Sequence, residues 1–258
     1  MAWTAVFDGE APERVNRWLA HRGVCSRREA EALIAAGRVR IDGEVVGDPG
    51  RKILPGQTLA VRDGESGVDP AVSVLIHKPP GLVSAHPAPG QDEARRLIVP
   101  DRAALGESPP PPDVSLPPAG RLDRESRGLL ILTSDGVVAR ALIAPETRIA
   151  KTYEVRVDGR LTPGAIAQLR HGLSLDGRAL KPAGVFRKGE DRLRFILEEG
   201  RNRQIRRMCE QVGLRVVDLF RTRIGPLSLD GLPEGRWRYL SPSERQALLT
   251  AASSQERL

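Results

Sequence analysis

The sequence has few residues that could build a disulfide framework, a structural zinc site or a membrane span. Its 258 residues include two cysteines, Cys25 and Cys209, without CxxC spacing, and four histidines without metal-ligand spacing. No run of about eighteen apolar residues occurs, and MAWTAVFDGE lacks the basic stretch and apolar core of a secretory signal. We therefore expect a cytoplasmic protein in a reducing compartment, with no bound metal and no membrane association.

Aromatic residues make up only 3% of the chain, so the series of stacking platforms used by many single-strand binders is missing. Positive charge is abundant instead, with a formal net charge of +7. Seven arginines but only two carboxylates lie between Gly200 and Arg223. This pattern favours a nucleic-acid partner held mainly by phosphate contacts. Composition alone leaves open the alternative of a basic enzyme that binds no polyanion.

Residues 11–66 have the pattern of a small domain with two helices and a hairpin. Apolar residues recur at helical spacing in two short segments, and an Asp-Gly turn follows between two stretches of strand-forming residues. The signals are the apolar face Val15, Trp18 and Leu19, the helix stop at Gly23, the capping box from Ser26 to Glu29, the stop at Gly37 and the hairpin Val39–Val46.

The stretch ERVNRWLAHRGVCSRREAEALIAAGRVRIDGEVV resembles the S4 RNA-binding domain over nearly its whole length, including the G-x-x-S-R spacing at Gly23, Ser26 and Arg27. The resemblance implies phosphate contacts that position the protein without reading bases. Charge alone leaves a solvated helix face as the alternative. The arginines implied are Arg14, Arg17, Arg22, Arg27 and Arg28.

We expect residues 1–10 to form a tail, 67–71 a linker, 72–250 a larger domain and 251–258 a second tail. Strand signals without a regular βαβ rhythm predict an α+β domain with a mixed, mainly antiparallel sheet. The Pro-rich segment 106–118 predicts an extended, dispensable surface loop. The predicted elements are strands at Val74–Ile76, Leu129–Thr133, Thr152–Val157 and Leu193–Leu197, and helices at Gly136–Ile143 and from about Asn202.

One candidate catalytic carboxylate, Asp123, stands between Arg121 and Arg124, after the Pro-rich loop and before an apolar strand. A nearby guanidinium favours the ionised carboxylate that a nucleophile or general base requires. A structural ion pair is the alternative at such a position.

The string GRLDRESRGLLILTSDG around Asp123 resembles the defining motif of the RsuA/RluB/RluE/RluF family of pseudouridine synthases. The resemblance implies isomerisation of uridine to pseudouridine in RNA by Asp123, without a cofactor or a metal. Three further segments resemble family motifs in order and spacing: Lys78-Pro79-x-Gly81, Lys151–Val155 and Glu199–Met208. RNA contacts are implied for Lys78, Arg121 and Lys151, with Arg121 a candidate to occupy the space left by a flipped-out nucleotide.

Tyr153 shares one face of its predicted strand with Val155 and Val157, which by itself is also typical of a core tyrosine. The resemblance implies that Tyr153 packs on the flipped uracil and moves a proton. In the basic helix, spacing puts Arg206 at the border of the apolar face and Arg203 and Arg207 roughly opposite. A position at this border can reach a cleft, and the resemblance of the basic segment to the family motif implies Arg206 as the partner of Asp123. We expect Arg203 and Arg207 to bind phosphates, with a solvated basic helix as the alternative.

The resemblance implies ribosomal RNA as the substrate. The segments RQIRRMCE and RTRI look closer to the RluF branch than to RsuA, which favours large-subunit RNA. Small-subunit RNA, tRNA and a ribosomal assembly particle remain the alternative targets, and we expect a monomer. The alternative from another functional class is a non-catalytic S4-type protein of ribosome assembly. The presence of Asp123 and Tyr153 argues against this alternative.

Overall fold

The computed structural model describes residues 3–22, 24–25, 27–62 and 71–255. The chain divides into two compact units at the boundary between Ala71 and Val72, with Asp135–Val137 grouped with the first unit. Residues 67–70 of the predicted linker lie outside the described residues. The same is true of Gly23 and Ser26, where a helix stop and a capping box are predicted.

The first unit contains two helices and a hairpin, as the sequence predicts, together with four further short strands. The predicted helix face is confirmed, since Val15, Trp18 and Leu19 are buried in the core of this unit. Four strands pair in the order β1-β6-β3-β4, and β2 pairs with β5. The elements are β1 Trp3–Val6, β2 Glu13–Arg14, α1 Val15–His21, α2 Arg27–Ala35, β3 Val39–Ile41, β4 Glu44–Val45, β5 Lys52–Ile53 and β6 Thr58–Val61.

The prediction of a tail at residues 1–10 is wrong for the strand β1. Residues of β1 pair with β6 from Trp3 opposite Val61 to Val6 opposite Thr58. Phe7 follows with only 3% of its surface exposed, and its ring packs edge-on against Trp18, with 5.4 Å between ring centroids. The aromatic side chains add apolar area to a small core, and so they keep this segment on the sheet.

The second unit is built on one mixed sheet. Neighbouring strands follow the order β12-β13-β9-β14-β8-β7-β16, and every pair is antiparallel except β14 with β8. The α+β prediction and the mainly antiparallel sheet are confirmed. The strands are β7 Ser73–Lys78, β8 Arg127–Thr133, β9 Lys151–Asp158, β10 Ser174–Leu175, β11 Arg178–Ala179, β12 Gly184–Arg187, β13 Arg192–Leu197, β14 Arg215–Ile224, β15 Leu227–Ser228 and β16 Trp237–Tyr239. The helices are α3 Gly136–Ile143, α4 Pro163–Arg170, α5 Gln204–Gln211 and α6 Pro242–Gln255, with 3-10 turns at Ala94–Leu97, Pro100–Arg102 and Pro145–Thr147.

The central strands β7 and β8 are buried on both faces. In β8, Leu129 and Ile131 pack with residues of α3 and α6, whereas Leu130 and Leu132 pack with Leu97 and other side chains of the 94–122 region. Alternate side chains of a strand point to opposite faces, so these residues serve two core clusters. A third cluster joins β9, β13 and β14 to α4 and α5.

The parallel pairing of β8 with β14 depends on Gly128. This residue has a φ of +115°, and a Cβ built on it would lie 2.2 Å from the backbone oxygen of Arg221. The two backbones therefore approach at a distance that excludes any side chain.

Two surface predictions need correction. The Pro-rich loop has no regular structure, but Val114 and Leu116 are buried in the core, so the segment is not a dispensable insertion. The predicted C-terminal tail begins inside α6, which extends to Gln255, because Leu248 and Ala252 pack on the core one helical turn apart.

Candidate active site

A cleft of roughly 640 Å³ in the second unit brings together the segments singled out in the sequence. Its walls come from the Asp123 loop, from β9, from β14 and from the start of α5. The lining includes Arg121, Asp123, Glu125, Lys151, Tyr153, Glu199, Arg201, Arg203, Arg206 and Arg221.

The loop that carries Asp123 is held on both sides of the carboxylate. The Leu122 N–H donates to Ser84 Oγ at 2.8 Å, and the Ser84 hydroxyl donates to the Leu122 carbonyl at the same distance. The Ser126 N–H donates to the Asp123 carbonyl at 3.0 Å, which closes a turn. The main chain of Asp123 is thus fixed, while its side chain remains 30% exposed toward the cleft.

Lys78 is fully buried, which corrects the prediction that it contacts RNA. Its Nζ donates to the carbonyls of Pro79 at 2.9 Å, Leu82 at 2.7 Å and Arg124 at 3.4 Å. Burial lowers the pKa of Lys78 to about 8. The sequence alone does not reveal this burial, because a lysine after a strand is usually solvated. The Lys78 ammonium therefore connects the main chain of the Asp123 loop, at Arg124, to the main chain at Pro79 and Leu82.

The residues after Lys78 also brace the Asp123 loop. The Gly81 N–H donates to the Arg124 carbonyl at 2.8 Å, and Arg124 Nε donates to the Gly81 carbonyl at 3.1 Å. Gly81 adopts a φ of +93°, a conformation that glycine tolerates and other residues rarely adopt. The Lys-Pro-x-Gly segment therefore supports the loop and does not line the cleft.

Two guanidinium groups face the Asp123 carboxylate. Its Oδ2 lies 3.9 Å from Arg206 Nε and 3.8 Å from Arg203 Nη1. Arg206 is buried and donates to Ser126 Oγ and to the Val216 carbonyl, each at 3.3 Å. The expected proximity of Arg206 and Asp123 is present in the structure.

The predicted position of Arg203, away from the cleft, is wrong. Helix α5 begins at Gln204, and Arg203 precedes it in the left-handed conformation, with φ 50° and ψ 33°. Its side chain therefore does not follow the helical spacing assumed for it. Arg203 Nη1 donates to Glu125 Oε2 at 3.0 Å, which holds the guanidinium beside Asp123. The predicted apolar face of the helix is confirmed, since Ile205, Met208 and Cys209 are buried.

The distances to Asp123 differ from those of the structural ion pairs nearby. Arg127 forms two short hydrogen bonds to Asp218, at 3.0 and 2.8 Å, and these satisfy both carboxylate oxygens. Arg206 Nε instead lacks a hydrogen-bond acceptor among the described residues, although it is buried. Asp123 therefore has positive charge nearby without short hydrogen bonds to guanidinium groups that would occupy its oxygens.

Tyr153 lies at the base of the cleft, partly buried between two core clusters. Directly opposite it on β14 is Arg221, which sequence reasoning missed as a site residue. Arg221 is 4% exposed and donates to the carbonyls of Leu129 at 2.8 Å and Arg121 at 3.2 Å. The signal available in the sequence was an arginine at an inward-facing position, two residues beyond Leu219.

Arg201 and Arg207 attach the hairpin β10–β11 to the segment around α5. Arg201 donates to the carbonyls of Leu175, Arg178 and Ala179, and Arg207 forms two hydrogen bonds to Asp176 at 3.0 and 2.6 Å. Asp176 and Gly177 form the turn between the two strands of this hairpin. Arg207 lies on the surface, as the helical spacing predicts.

The remaining predicted RNA-binding residues have these positions. Arg121 is exposed at the cleft, and Lys151 is partly buried in its wall. In the first unit, Arg17 pairs with Glu13, and Arg22 pairs with Asp8 while lying over the Trp18 ring. Exposed residues there are Arg14, Arg17, Arg22 and Arg27, whereas the side chain of Arg28 is outside the described part of the structure.

Two other kinds of site are absent from the described residues. None of the helices in this part of the chain is long and apolar enough to span a membrane. Within the same residues, His, Cys, Asp and Glu form no group of three or more that could hold a metal ion.

Comparisons with known proteins identify both parts of the chain. The family described as RNA pseudouridylate synthase matches residues 72–211, and the S4 domain matches residues 13–59. Ribosomal large subunit pseudouridine synthase B of Bacillus subtilis is 35% identical over 246 residues, covering 93% of this chain and 97% of the relative. The dual-specificity RNA pseudouridine synthase RluF of Escherichia coli is 33% identical over 237 residues, covering 90% and 76%.

A solved pseudouridylate synthase has the same fold, with a TM-score of 0.62 and 24% identity over 93% of this chain and all of that one. The family match covers the region from β7 to α5, which supplies the cleft walls other than β14. The S4 match covers the two helices and the hairpin of the first unit. The chain therefore belongs to the RNA pseudouridine synthase family and carries an S4 domain ahead of its catalytic domain.

Proposed function

We propose that this enzyme converts a specific uridine of ribosomal RNA to pseudouridine, with large-subunit RNA as the favoured substrate and Asp123 as the catalytic carboxylate. The observation that carries the proposal is the Asp123 side chain, anchored at its main chain and facing two guanidinium groups at 3.8 and 3.9 Å. The names of the Bacillus and Escherichia relatives support an RNA substrate, and the first of them specifies the large ribosomal subunit.

The reaction breaks the N1–C1′ glycosidic bond, turns the base and joins C5 to C1′. In this proposal Asp123 acts at the ribose or on the detached base, as nucleophile or as base. Arg206 and Arg203 keep positive charge beside it as charge redistributes. Tyr153 packs on the flipped uracil, and its hydroxyl exchanges a proton during isomerisation.

The RNA is held outside the cleft by cations that carry no base specificity. Arg121, exposed at the cleft mouth, occupies the space left by the flipped nucleotide. Arg207 and the exposed arginines of the first unit bind phosphates and position the substrate. We propose domain limits of 11–66 for the S4 unit, extended by the β1 strand, and 72–250 for the catalytic unit, extended to the end of α6. A cytoplasmic monomer is the form proposed.

Pseudouridine mapping tests this proposal. Ribosomal RNA and tRNA from cells with and without the protein are mapped at single-nucleotide resolution, and purified protein is then added to unmodified transcripts. We expect one large-subunit position to depend on the protein in both assays. Modification confined to small-subunit RNA or tRNA would contradict the substrate assignment, and a complete absence of modification would contradict the proposed activity.

Replacement of Arg206 by Ala is expected to lower the single-turnover rate about a hundredfold, because the carboxylate loses a buried cation where charge develops. Arg203→Ala should lower the rate in the same direction, since Arg203 lies equally close to Asp123. The matched control is Arg207→Ala, whose guanidinium binds exposed Asp176. It should weaken RNA binding and retain the rate at saturating protein.

Melting temperatures of all three arginine variants check for misfolding, because Arg206 also binds the Val216 carbonyl. A rate loss in Arg207→Ala comparable to that in Arg206→Ala would show that the placement of the basic partner is wrong.

A further inference from the structure

Two cations flank Tyr153 at the base of the cleft. Lys151 precedes Tyr153 by two residues on β9 and so points to the same face of the strand. Arg221 lies directly opposite Tyr153 on β14. All three residues line the cleft. The ring proposed to pack on the uracil is therefore bordered by positive charge on two sides.

Neither cation is neutralised by a carboxylate. Among the described residues, Lys151 and Arg221 form no ion pair, and the buried Arg221 Nη2 has no hydrogen-bond acceptor. The carboxylates that line the cleft interact with other arginines. The pairs are Asp123 with Arg203 and Arg206, Glu125 with Arg203, and Glu199 with Arg201.

The electrostatic environment of Lys151 also indicates a cation without a negatively charged partner. The pKa of Lys151 is lowered first by burial and then by the like charges of Arg221 and Lys181. Burying charge without a partner destabilises a protein. An arrangement of this kind is stabilised when an anion binds between the cations.

The reaction itself generates an anion at this place. When the N1–C1′ bond breaks, its electron pair stays with the uracil and spreads over N1, O2 and O4. The ring then bonds C1′ through C5, C5 gives up its proton, and N1 takes up a proton, so that atoms and electrons balance. The negative charge exists only between the two bond changes, which is where stabilisation accelerates a reaction.

We infer that Lys151 and Arg221 form an anion subsite for the detached uracil. The inference rests on the proposed function and assigns a new task to these residues. The subsite lies at the bottom of the cleft, beside the Tyr153 ring. This position favours the uracil ring over a backbone phosphate, which would lie nearer the cleft entrance. Arg221 contributes a fixed charge, because carbonyls hold its other nitrogens.

The test uses Lys151→Met, which keeps length and removes charge, and Lys151→Arg, which restores charge. The single-turnover rate at saturating enzyme and the RNA dissociation constant are measured for each. Lys151→Met should lower the rate about a hundredfold, with less than about threefold change in affinity. Lys151→Arg should recover most of that loss. Lys181→Met is the matched control, because Lys181 is an exposed neighbour outside the cleft lining.

The pH dependence of the single-turnover rate distinguishes an effect of the Lys151 charge from an effect of its shape. The lowered pKa of Lys151 means that its ammonium loses the proton below the ordinary lysine value of about 10.4. The wild-type rate should therefore fall as pH rises through that lowered pKa. Lys151→Arg should lose the part of this fall that belongs to Lys151, since arginine stays protonated. A fall caused by Lys78, whose pKa is lowered to about 8, is common to both proteins and cancels in the comparison. The charged groups acting on Lys151 are Arg221 and Lys181, both cationic.

Two outcomes would overturn the proposed anion subsite and leave the proposed function intact. One is a full-rate Lys151→Met enzyme. The other is a variant that keeps its rate but loses RNA affinity and about one unit of salt slope, which would identify a phosphate contact. Wild-type turnover on the same RNA reports the proposed function independently, and its absence would overturn both.

Discussion

Asp123→Asn is expected to reduce pseudouridine formation by at least about a thousandfold, since removal of a catalytic group usually has an effect of this size. The protein should fold, because the anchors of the loop are the main-chain groups of Leu122, Asp123 and Ser126, which the substitution retains. Partly exposed ion pairs at 3.8 and 3.9 Å contribute about 1 kcal/mol or less to stability. RNA binding should therefore persist. Single-turnover kinetics and a binding titration on the same RNA measure both quantities.

A matched control for this variant is Asp158→Asn. Asp158 is also an aspartate paired with an arginine, Arg215 at 2.7 Å, but it lies at the exposed far end of β9. Its replacement should leave the rate within about twofold of wild type, as surface substitutions usually do. If Asp123→Asn retained a rate similar to that of Asp158→Asn, another group would have to perform the chemistry.

Gly128→Ala is expected to be the most destabilising single methyl addition in the catalytic unit. The new Cβ would lie 2.2 Å from the Arg221 backbone oxygen, and the φ of +115° is strained for alanine. Neither backbone can shift without breaking the β8–β14 pairing. We expect a loss of about 4 kcal/mol or more, which corresponds to a fall in melting temperature of more than about 8 °C.

Gly164→Ala, in contrast, is expected to stabilise the protein. Gly164 is exposed in α4, and the nearest atom to an added Cβ is Thr162 Oγ1 at 3.9 Å. Alanine there should stabilise the helix by up to about 1 kcal/mol. A Gly128→Ala protein that melts within about 2 °C of the wild type would show that the two strands are not in such close contact.

The sequence predicts those parts of the site that lie near one another along the chain. The acid between two arginines, the helix from Gly136 and the apolar face of α5 all depend on local spacing, and the structure contains each of them. The placement of Arg203 failed because one residue in a left-handed conformation moves the helix start. Periodicity does not detect such a change, since it assumes a regular helix from the first residue.

Long-range contacts account for what the sequence did not predict. Lys78 looks solvated in the sequence, yet its ammonium binds carbonyls on two loops that only the fold brings together. The strand β14 was not predicted, although it carries Arg221 and pairs with both β8 and β9. Its burial alternation is interrupted by two register shifts, which weaken a period-two signal.

The long segment from residue 85 to residue 121 forms a separate part of the catalytic unit. The two hydrogen bonds between Ser84 and Leu122 hold its ends together, and Val114 and Leu116 pack in the core. The outermost part, residues 104–113, carries no fully buried side chain. Insertions, deletions or grafted sequences at this tip are thereby insulated from the carboxylate. Descendants of this chain can vary the exposed surface there while inheriting the reaction chemistry unchanged.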